Sequence, residues 1–149
     1  MNRLVIQLGF VLILVGLFTG FAIPQLANPR LGLAAHTVAV TGGLILIAFG
    51  ALARFFALGK RAASVMMSSW IYAAYVNWLA CLIGGITGAS RLTPIAGEGT
   101  TGSATAEAIV EFLLISLSVA AVIGTSLAVW GFRRTSTAAV AADVRPAAV

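Results

Sequence analysis

The chain has 149 residues, of which 60% are hydrophobic and only 9% are charged. Soluble domains carry about 25% charged residues, so this chain lacks the polar groups to cover its surface in water. That shortage excludes a soluble enzyme, a disordered tail and a nucleic-acid-binding module. A single Cys and a single His also exclude a disulfide framework within one chain and a cysteine-based metal finger.

Four uncharged apolar runs are long enough for helices that cross a bilayer, which needs about 20 residues. They are Leu4–Ile23, Leu31–Ala53, Ala62–Thr87 and Phe112–Phe132. Strands of a membrane barrel are about 10 residues long and alternate in polarity, whereas these runs are longer and apolar on all sides. We therefore predict an all-α integral membrane protein. Residues 1–134 would form a four-transmembrane-helix bundle, the first run being a retained helix, and residues 135–149 a flexible cytoplasmic tail.

The basic residues divide unequally between the two sides of the membrane that four spans imply. One side holds two of them, Arg30 and Arg91, and the other holds seven: Arg3, Arg54, Lys60, Arg61, Arg133, Arg134 and Arg145. The positive-inside rule places the richer side in the cytoplasm, with both termini. We predict a multi-pass protein of a bacterial-type inner membrane.

The two predicted outer loops differ in length. The first, residues 24–30, is short and contains two prolines, which prevent the helix from continuing. The second runs roughly from Gly88 to Glu107 and is rich in Gly and Thr. A loop of this length in a small protein is usually a lid, a binding loop or a disordered segment.

Small residues mark the faces on which the helices would pack. Gly16 and Gly20 form a GxxxG pair, and His36, Gly43 and Gly50 recur every seven residues, so they share one stripe of the second helix. Two interpretations stay open: close helix packing, or space beside His36 for a flat cofactor. Four short helices enclose little volume, so a larger site would lie between subunits.

His36 is the only His and stands about a turn and a half into the second run. An ionisable residue inside a membrane segment is a functional hypothesis by default. The imidazole either bonds a neighbouring carbonyl or water, or it binds a metal. One His cannot build a zinc site, which needs three or four protein ligands, whereas haem iron accepts a single axial His and keeps its opposite face open. Haem is thus the favoured metal group.

Asn77 lies near the middle of the third run, where a buried amide needs hydrogen-bond partners. An interhelical hydrogen bond and contact with a substrate are both open interpretations. Tyr72 and Tyr75 share one side of this helix, whereas Asn77 shares another with Trp70 and Cys81.

Charged residues gather at the outer ends of the runs. Glu111 begins the fourth run and Glu107 lies one turn before it, where a carboxylate is favoured by the helix dipole. By helix length, Glu111 falls in the same half of the membrane as His36 and Asn77, at depths that differ by roughly 5–10 Å. These three side chains can share one pocket, within a subunit or across an interface. Arg30 above them could meet the carboxylates of a haem.

Three segments resemble one family of membrane enzymes. They are NPRLGLAAH at 28–36, YVNWLA at 75–80 and TPIAG at 93–97. In these segments the chain resembles the hydroxylaminobenzene mutases, small four-span enzymes that rearrange an aryl hydroxylamine to an aminophenol. It is more distantly similar to the styrene oxide isomerases, which are trimers that hold ferric haem b at their subunit interfaces.

The resemblance implies a homotrimer that acts on a small aromatic substrate in the lipid bilayer. It also implies haem b with His36 as the axial metal ligand, and Asn77 as a residue of the catalytic pocket. The chain departs from the families at Val38, Gly42, Ala73 and Cys81, where the relatives carry polar groups. Further candidates are therefore Tyr75 and Glu111 as catalytic residues, and Arg30 and Tyr72 as cofactor-binding residues.

The implied reaction is an isomerisation with no net redox change, in which ferric haem acts as a Lewis acid on the hydroxylamine oxygen. A haem-dependent conversion of an epoxide to an aldehyde is an alternative. A non-enzymatic protein, either a small transporter or a haem-binding subunit, is another. However, a proton-coupled transporter would want a carboxylate deep in a span, and the four runs contain none.

Overall fold

The computed structural model describes residues 2–133, so the predicted tail at 135–149 lies outside the described residues. In chain order the helices are α1 (Arg3–Ala22), a 3-10 turn (Ile23–Gln25), α2 (Pro29–Leu52), a second 3-10 turn (Ala53–Phe55), α3 (Lys60–Thr87), α4 (Pro94–Gly97) and α5 (Ala104–Arg133). The described part of the chain is all-helical. Four helices are long and apolar enough to cross a membrane, which confirms the prediction of four spans.

Local signals explain where the long helices begin and end. The Asn2 and Asn28 side chains accept hydrogen bonds from the first turns of α1 and α2, and Pro29 occupies the first position of α2. Gly88 ends α3 with a left-handed φ of 75°. The last long helix, α5, begins at Ala104, about two turns before the predicted Phe112. Ser103 caps its first turn, which is polar, so a search for apolar runs overlooks this start.

The four long helices pack in chain order, α1 on α2, α2 on α3, and α3 on α5. Within residues 2–133, α5 packs extensively only on α3. Its apolar window is also only 11% buried, less than that of the other three long helices. The bundle is therefore open between α2 and α5, and α5 presents most of its apolar surface to lipid or to another protein.

Glycines bring the backbones of α1 and α2 into direct contact. A Cβ atom added at Gly43 would lie 2.5 Å from the carbonyl oxygen of Gly9, and one added at Gly9 would lie 2.6 Å from the carbonyl oxygen of Gly43. This confirms helix packing as the role of Gly43. The space beside Gly43 is filled by Gly9 and Ile13, so the alternative of cofactor space at this glycine is wrong.

Two buried polar side chains organise the loops at one end of the molecule, which we call the loop end. Asn28 donates to the carbonyl of Gly97 (3.0 Å) and to the hydroxyl of Thr100 (2.8 Å). The Glu107 carboxylate, only 4% exposed, accepts three backbone N–H bonds, from Ser90 (3.1 Å), Arg91 (3.0 Å) and Gly102 (3.0 Å). These bonds fix the long loop between α3 and α5, residues 88–103, across the loop end, and we call this segment the cover.

The contact between α1 and α2 makes Gly43 a sensitive position. We expect Gly43→Ala to lower the free energy of unfolding by about 1–3 kcal/mol, because the Gly9 backbone cannot move aside as a side chain can. Gly59→Ala is the matched control, since a Cβ there meets nothing within 4 Å. Unfolding in detergent micelles measures both variants, and equal stabilities would contradict this packing.

The three hydrogen bonds that the Glu107 carboxylate accepts lead to a second prediction. Glu107→Gln should destabilise the cover by about 1–3 kcal/mol, because an amide group cannot accept all three backbone bonds. Hydrogen exchange at Ser90, Arg91 and Gly102 should accelerate. Glu98→Gln, which removes a carboxylate that is 61% exposed, should leave these amides protected. Unchanged protection of these three amides in Glu107→Gln would show that the carboxylate does not hold the loop in place.

Candidate active site

His36 is held between α2 and α1 by one defined hydrogen bond. Its Nδ1 lies 2.8 Å from the carbonyl oxygen of Gly16 on α1. A carbonyl oxygen can only accept, so this contact assigns the proton to Nδ1 and leaves Nε2 of the neutral ring as an acceptor. Of the residues that the structure describes, none bonds Nε2. The carbonyl bond foreseen for His36 is present, and it leaves one ring nitrogen free to bind a ligand.

Gly20 leaves space for the imidazole of His36. A Cβ atom at this position would lie 3.0 Å from Nδ1 and 3.4 Å from Cε1 of His36. Gly16 meanwhile packs against Ala39, because its own Cβ would lie 2.7 Å from the Cβ of that residue. The two glycines of the GxxxG pair therefore have different roles. Gly16 lets α1 pack closely against α2, and Gly20 leaves space for the ring of His36.

A separate cavity of about 220 Å³ opens between α2, α3 and α5, and we call it the cleft. Its walls are Thr37, Val38, Thr41, Gly42, Ile45, Trp70, Ala73, Ala74, Asn77, Leu117 and Ala121. Asn77 accepts a long contact from the Cys81 thiol at 3.8 Å, and in residues 2–133 its amide nitrogen has no partner. An unpaired amide is unfavourable in a membrane interior, so a ligand in the cleft would satisfy it.

His36 and Asn77 do not share a pocket within one chain. His36 faces α1, whereas its neighbours Thr37 and Val38 face the cleft. Successive residues of a helix point in directions about a third of a turn apart, so the two sites lie on different sides of α2. Within one subunit the cleft that contains Asn77 therefore does not contain His36, and a pocket that both share across an interface stays a prediction.

Neither of the two predicted tyrosines lines the cleft. The Tyr75 hydroxyl donates to the carbonyl of Leu8 on α1 at 2.8 Å. The Tyr72 hydroxyl bonds the hydroxyl of Ser116 on α5, also at 2.8 Å. Each tyrosine thus joins α3 to a neighbouring helix, one on either side.

The predicted charged residues form two ion pairs at the loop end. Arg30 pairs with Glu98, and Arg91 pairs with Glu111 at 3.1 Å. The side chains of Arg30, Glu98 and Arg91 are more than half exposed, so these pairs contribute little to stability and can exchange partners. Glu111 lies outside the walls of the cleft.

A second cavity lies next to the cleft, on the side of the loop end. We call it the loop-end hollow; it has a volume of about 650 Å³ and lies between α2 and residues 92–96. Arg30 is in its wall, and Thr37 and Val38 belong to both cavities. The two cavities are therefore neighbours along α2, and both have mainly apolar walls.

Sequence analysis named Val38, Gly42 and Ala73 as departures from the families, and all three line the cleft, but it did not identify the other wall residues on α2 or those on α5. Thr37 and Thr41 lie four residues apart, which puts two hydroxyls on one face of an apolar helix and is a signal that could have been read. Leu117 and Ala121 carry no such signal, because nothing distinguishes them from the other apolar residues of α5. Within residues 2–133, no group of three His, Cys, Asp or Glu side chains could hold a bare metal ion.

Comparison with known proteins agrees with this architecture. A family model described as styrene oxide isomerase matches residues 1–133. Hydroxylaminobenzene mutase HabB of Ectopseudomonas oleovorans is 43% identical, over 98% of this chain and 92% of its own. Hydroxylaminobenzene mutase HabA of the same organism is 37% identical, over 73% of this chain and 82% of its own. No solved structure matches the chain.

These matches confirm the resemblance that three short segments had indicated. They cover all four long helices, so the similarity is not confined to a motif. Both relatives and the family model are named as enzymes that rearrange their substrate, which excludes the non-enzymatic alternatives. The chain therefore belongs to the styrene oxide isomerase family and is a membrane isomerase with four long apolar helices.

Proposed function

We propose that the protein is a mutase that rearranges an aryl hydroxylamine to a 2-aminophenol. The observation that carries this proposal is the 43% identity to a hydroxylaminobenzene mutase along nearly the whole chain. In the reaction the N–O bond breaks, a C–O bond forms at the ortho carbon, the ortho proton leaves and the nitrogen gains a proton. Substrate and product are isomers, so no oxidant or reductant is required.

The environment of His36 suits a residue that would hold the iron of haem b. A histidine that binds a metal usually donates its second ring N–H to a carbonyl or carboxylate, which fixes the ring and its tautomer. His36 makes this bond to Gly16, and Gly20 leaves room for the ring. We therefore assign Nε2 of His36 as the metal-ligating atom. When bound, ferric haem would supply a Lewis acid that weakens the N–O bond.

A homotrimer with its cofactor at the subunit interfaces accounts for the separation of His36 from the cleft. Because the two sites lie on different sides of α2, a head-to-tail arrangement can bring His36 of one subunit towards the cleft of the next. The apolar exposed surface of α5 is available for such a contact. The number of three subunits comes from the resemblance to styrene oxide isomerases.

Residues of the cleft would bind and orient the substrate. The free amide nitrogen of Asn77 can donate to the polar group of a hydroxylamine, and Val38, Ala73 and Leu117 offer apolar walls for an aromatic ring. Such walls exclude bulk water, which would otherwise capture a cationic ring. Apolar aromatic substrates also partition into the bilayer, so an enzyme in the membrane lies where its substrate is concentrated.

The other predicted site residues take supporting roles in this proposal. Arg30 lies in the loop-end hollow and can exchange Glu98 for a haem carboxylate. Tyr72 joins α3 to α5, which carries one wall of the cleft. Tyr75 and Glu111 act as positioning residues, since Tyr75 fixes α1 to α3 and Glu111 holds Arg91.

The orientation in the membrane is part of the proposal. Seven of the nine basic residues lie on the side that carries both termini, which favours a cytoplasmic location for that side. The protein would then be a multi-pass component of a bacterial-type inner membrane. Residues 1–134 would be its membrane domain, as the sequence predicts.

An epoxide-to-aldehyde isomerase is the second candidate, favoured by the family model that matches residues 1–133. The two candidates differ in substrate and share the site. Incubation of the purified protein with hydroxylaminobenzene and with styrene oxide separates them. We expect aminophenol from the first substrate and little aldehyde from the second; the reverse would replace the first proposal by the second.

Removal of the imidazole tests the cofactor. His36→Ala should lose the Soret absorbance and the turnover of hydroxylaminobenzene together, because no other His is present to hold the iron. Thr125→Ala is the control, since this exposed hydroxyl bonds only the carbonyl of Ala121 within the described chain. Full activity of His36→Ala without a Soret band would overturn the haem mechanism.

Two variants of the cleft test the substrate site. Asn77→Leu keeps the side-chain size but removes the amide, and we expect kcat/KM to fall by about 10–100-fold with the Soret band retained. Ala121→Phe should raise KM by filling the cleft from α5. Val65→Phe adds the same ring on α3, at a side chain that is 47% exposed and lies outside the walls of the cleft, and it should have little effect. Unchanged kinetics in Asn77→Leu and Ala121→Phe would place the substrate elsewhere.

A further inference from the structure

A third cavity lies at the end of the molecule that carries Asn2, which we call the N-terminal end. It has a volume of about 370 Å³ and shares no wall with the cleft or the loop-end hollow. It lies between the first turn of α1, the 3-10 turn Ala53–Phe55 and the first half of α3. Its walls are mainly apolar and include Val5, Met67 and Ile71.

Positively charged side chains flank this cavity in the sequence. Arg3 lies between wall residues Asn2 and Leu4, Arg54 follows the wall residue Ala53, and Lys60 and Arg61 precede the wall residue Ala63. All four basic residues are exposed, and the guanidinium of Arg54 lies 4.7 Å from the centre of the Phe55 ring. Each chain segment that walls the cavity therefore carries an exposed cation within two residues of a wall residue.

The two ends of the molecule differ in how their cations are neutralised. At the loop end, Arg30 and Arg91 each pair with a glutamate. In residues 2–133 the acidic side chains all belong to the loop end, and none of the four cations at the N-terminal end forms an ion pair. Their charge is thus available to a ligand from outside the described chain.

We propose that the N-terminal end binds an anionic phospholipid, with an acyl chain in the cavity and the phosphate among Arg3, Arg54, Lys60 and Arg61. Basic pockets between membrane helices on the cytoplasmic side are suited to anionic headgroups. The positive-inside rule accounts for an excess of cations on one side, but it does not account for an apolar cavity between them. The site is independent of the proposed isomerase reaction.

Native mass spectrometry of the detergent-solubilised full chain tests the charge requirement. Phosphatidylglycerol should bind about tenfold more tightly than phosphatidylcholine with the same acyl chains. The variant R54Q/K60Q should lose this preference, and the matched control R30Q/R91Q, which removes two charges from the loop end, should keep it. Equal binding of the two lipids, or equal loss of the preference in both variants, would overturn the proposal.

A second pair of measurements tests the cavity. Ala63→Phe adds a ring at the cavity wall without a change in charge, and it should weaken phosphatidylglycerol binding several-fold. Inorganic phosphate, added in excess over the lipid, should fail to displace it, because phosphate alone lacks the acyl chain. Unchanged lipid affinity in Ala63→Phe, or displacement by phosphate, would show that the headgroup charge suffices and would refute the cavity site. Unfolding in detergent confirms that each variant is folded.

Discussion

The direct contact between the backbones of α1 and α2 is the interaction on which the rest of the structure depends. A membrane gives helices no hydrophobic drive to associate, so close van der Waals packing has to hold them together. Gly9 and Gly43 allow the backbones to touch. The same approach brings the carbonyl of Gly16 within 2.8 Å of the His36 imidazole. The close packing of α1 on α2 therefore also determines which ring nitrogen of His36 carries the proton.

The scarcity of hydrogen-bond partners in lipid separates structural from functional polar groups. Tyr72 and Tyr75 are each bonded to a neighbouring helix, and Trp78 donates to Thr19 on α1 at 3.0 Å. Such side chains hold the helices in place. Nε2 of His36 and the amide nitrogen of Asn77 lack a partner in the described part of the chain. Trp70 Nε1, in the wall of the same cleft as Asn77, is also buried without a partner in the described part of the chain. Because an unpaired polar group is unfavourable there, these three atoms are the ones best suited to a cofactor and a substrate.

The two ends of the molecule handle charge in opposite ways. At the loop end, buried Glu107 binds three backbone amides, and two exposed ion pairs neutralise Arg30 and Arg91. These contacts fix a long Gly- and Thr-rich segment across the loop end, where part of it lines the loop-end hollow. The N-terminal end keeps its cations unpaired within residues 2–133. One end is thus closed by the chain itself, while the other offers charge to the surrounding lipid.

The sequence by itself determined the four membrane helices and the family, because hydropathy and short motifs are local properties. At Gly43 it left helix packing and cofactor space both open, and only the contacts with Gly9 and Ile13 decided for packing. It also singled out His36 and Asn77, since polar groups are conspicuous in apolar runs. Only the tertiary structure decided that these two side chains lie on different sides of α2, that Tyr75 bonds α1, and that Leu117 and Ala121 line a cleft. Those relations depend on which helices are neighbours and how each is rotated about its axis. In a chain that is apolar all round, the pattern of one helix does not specify either.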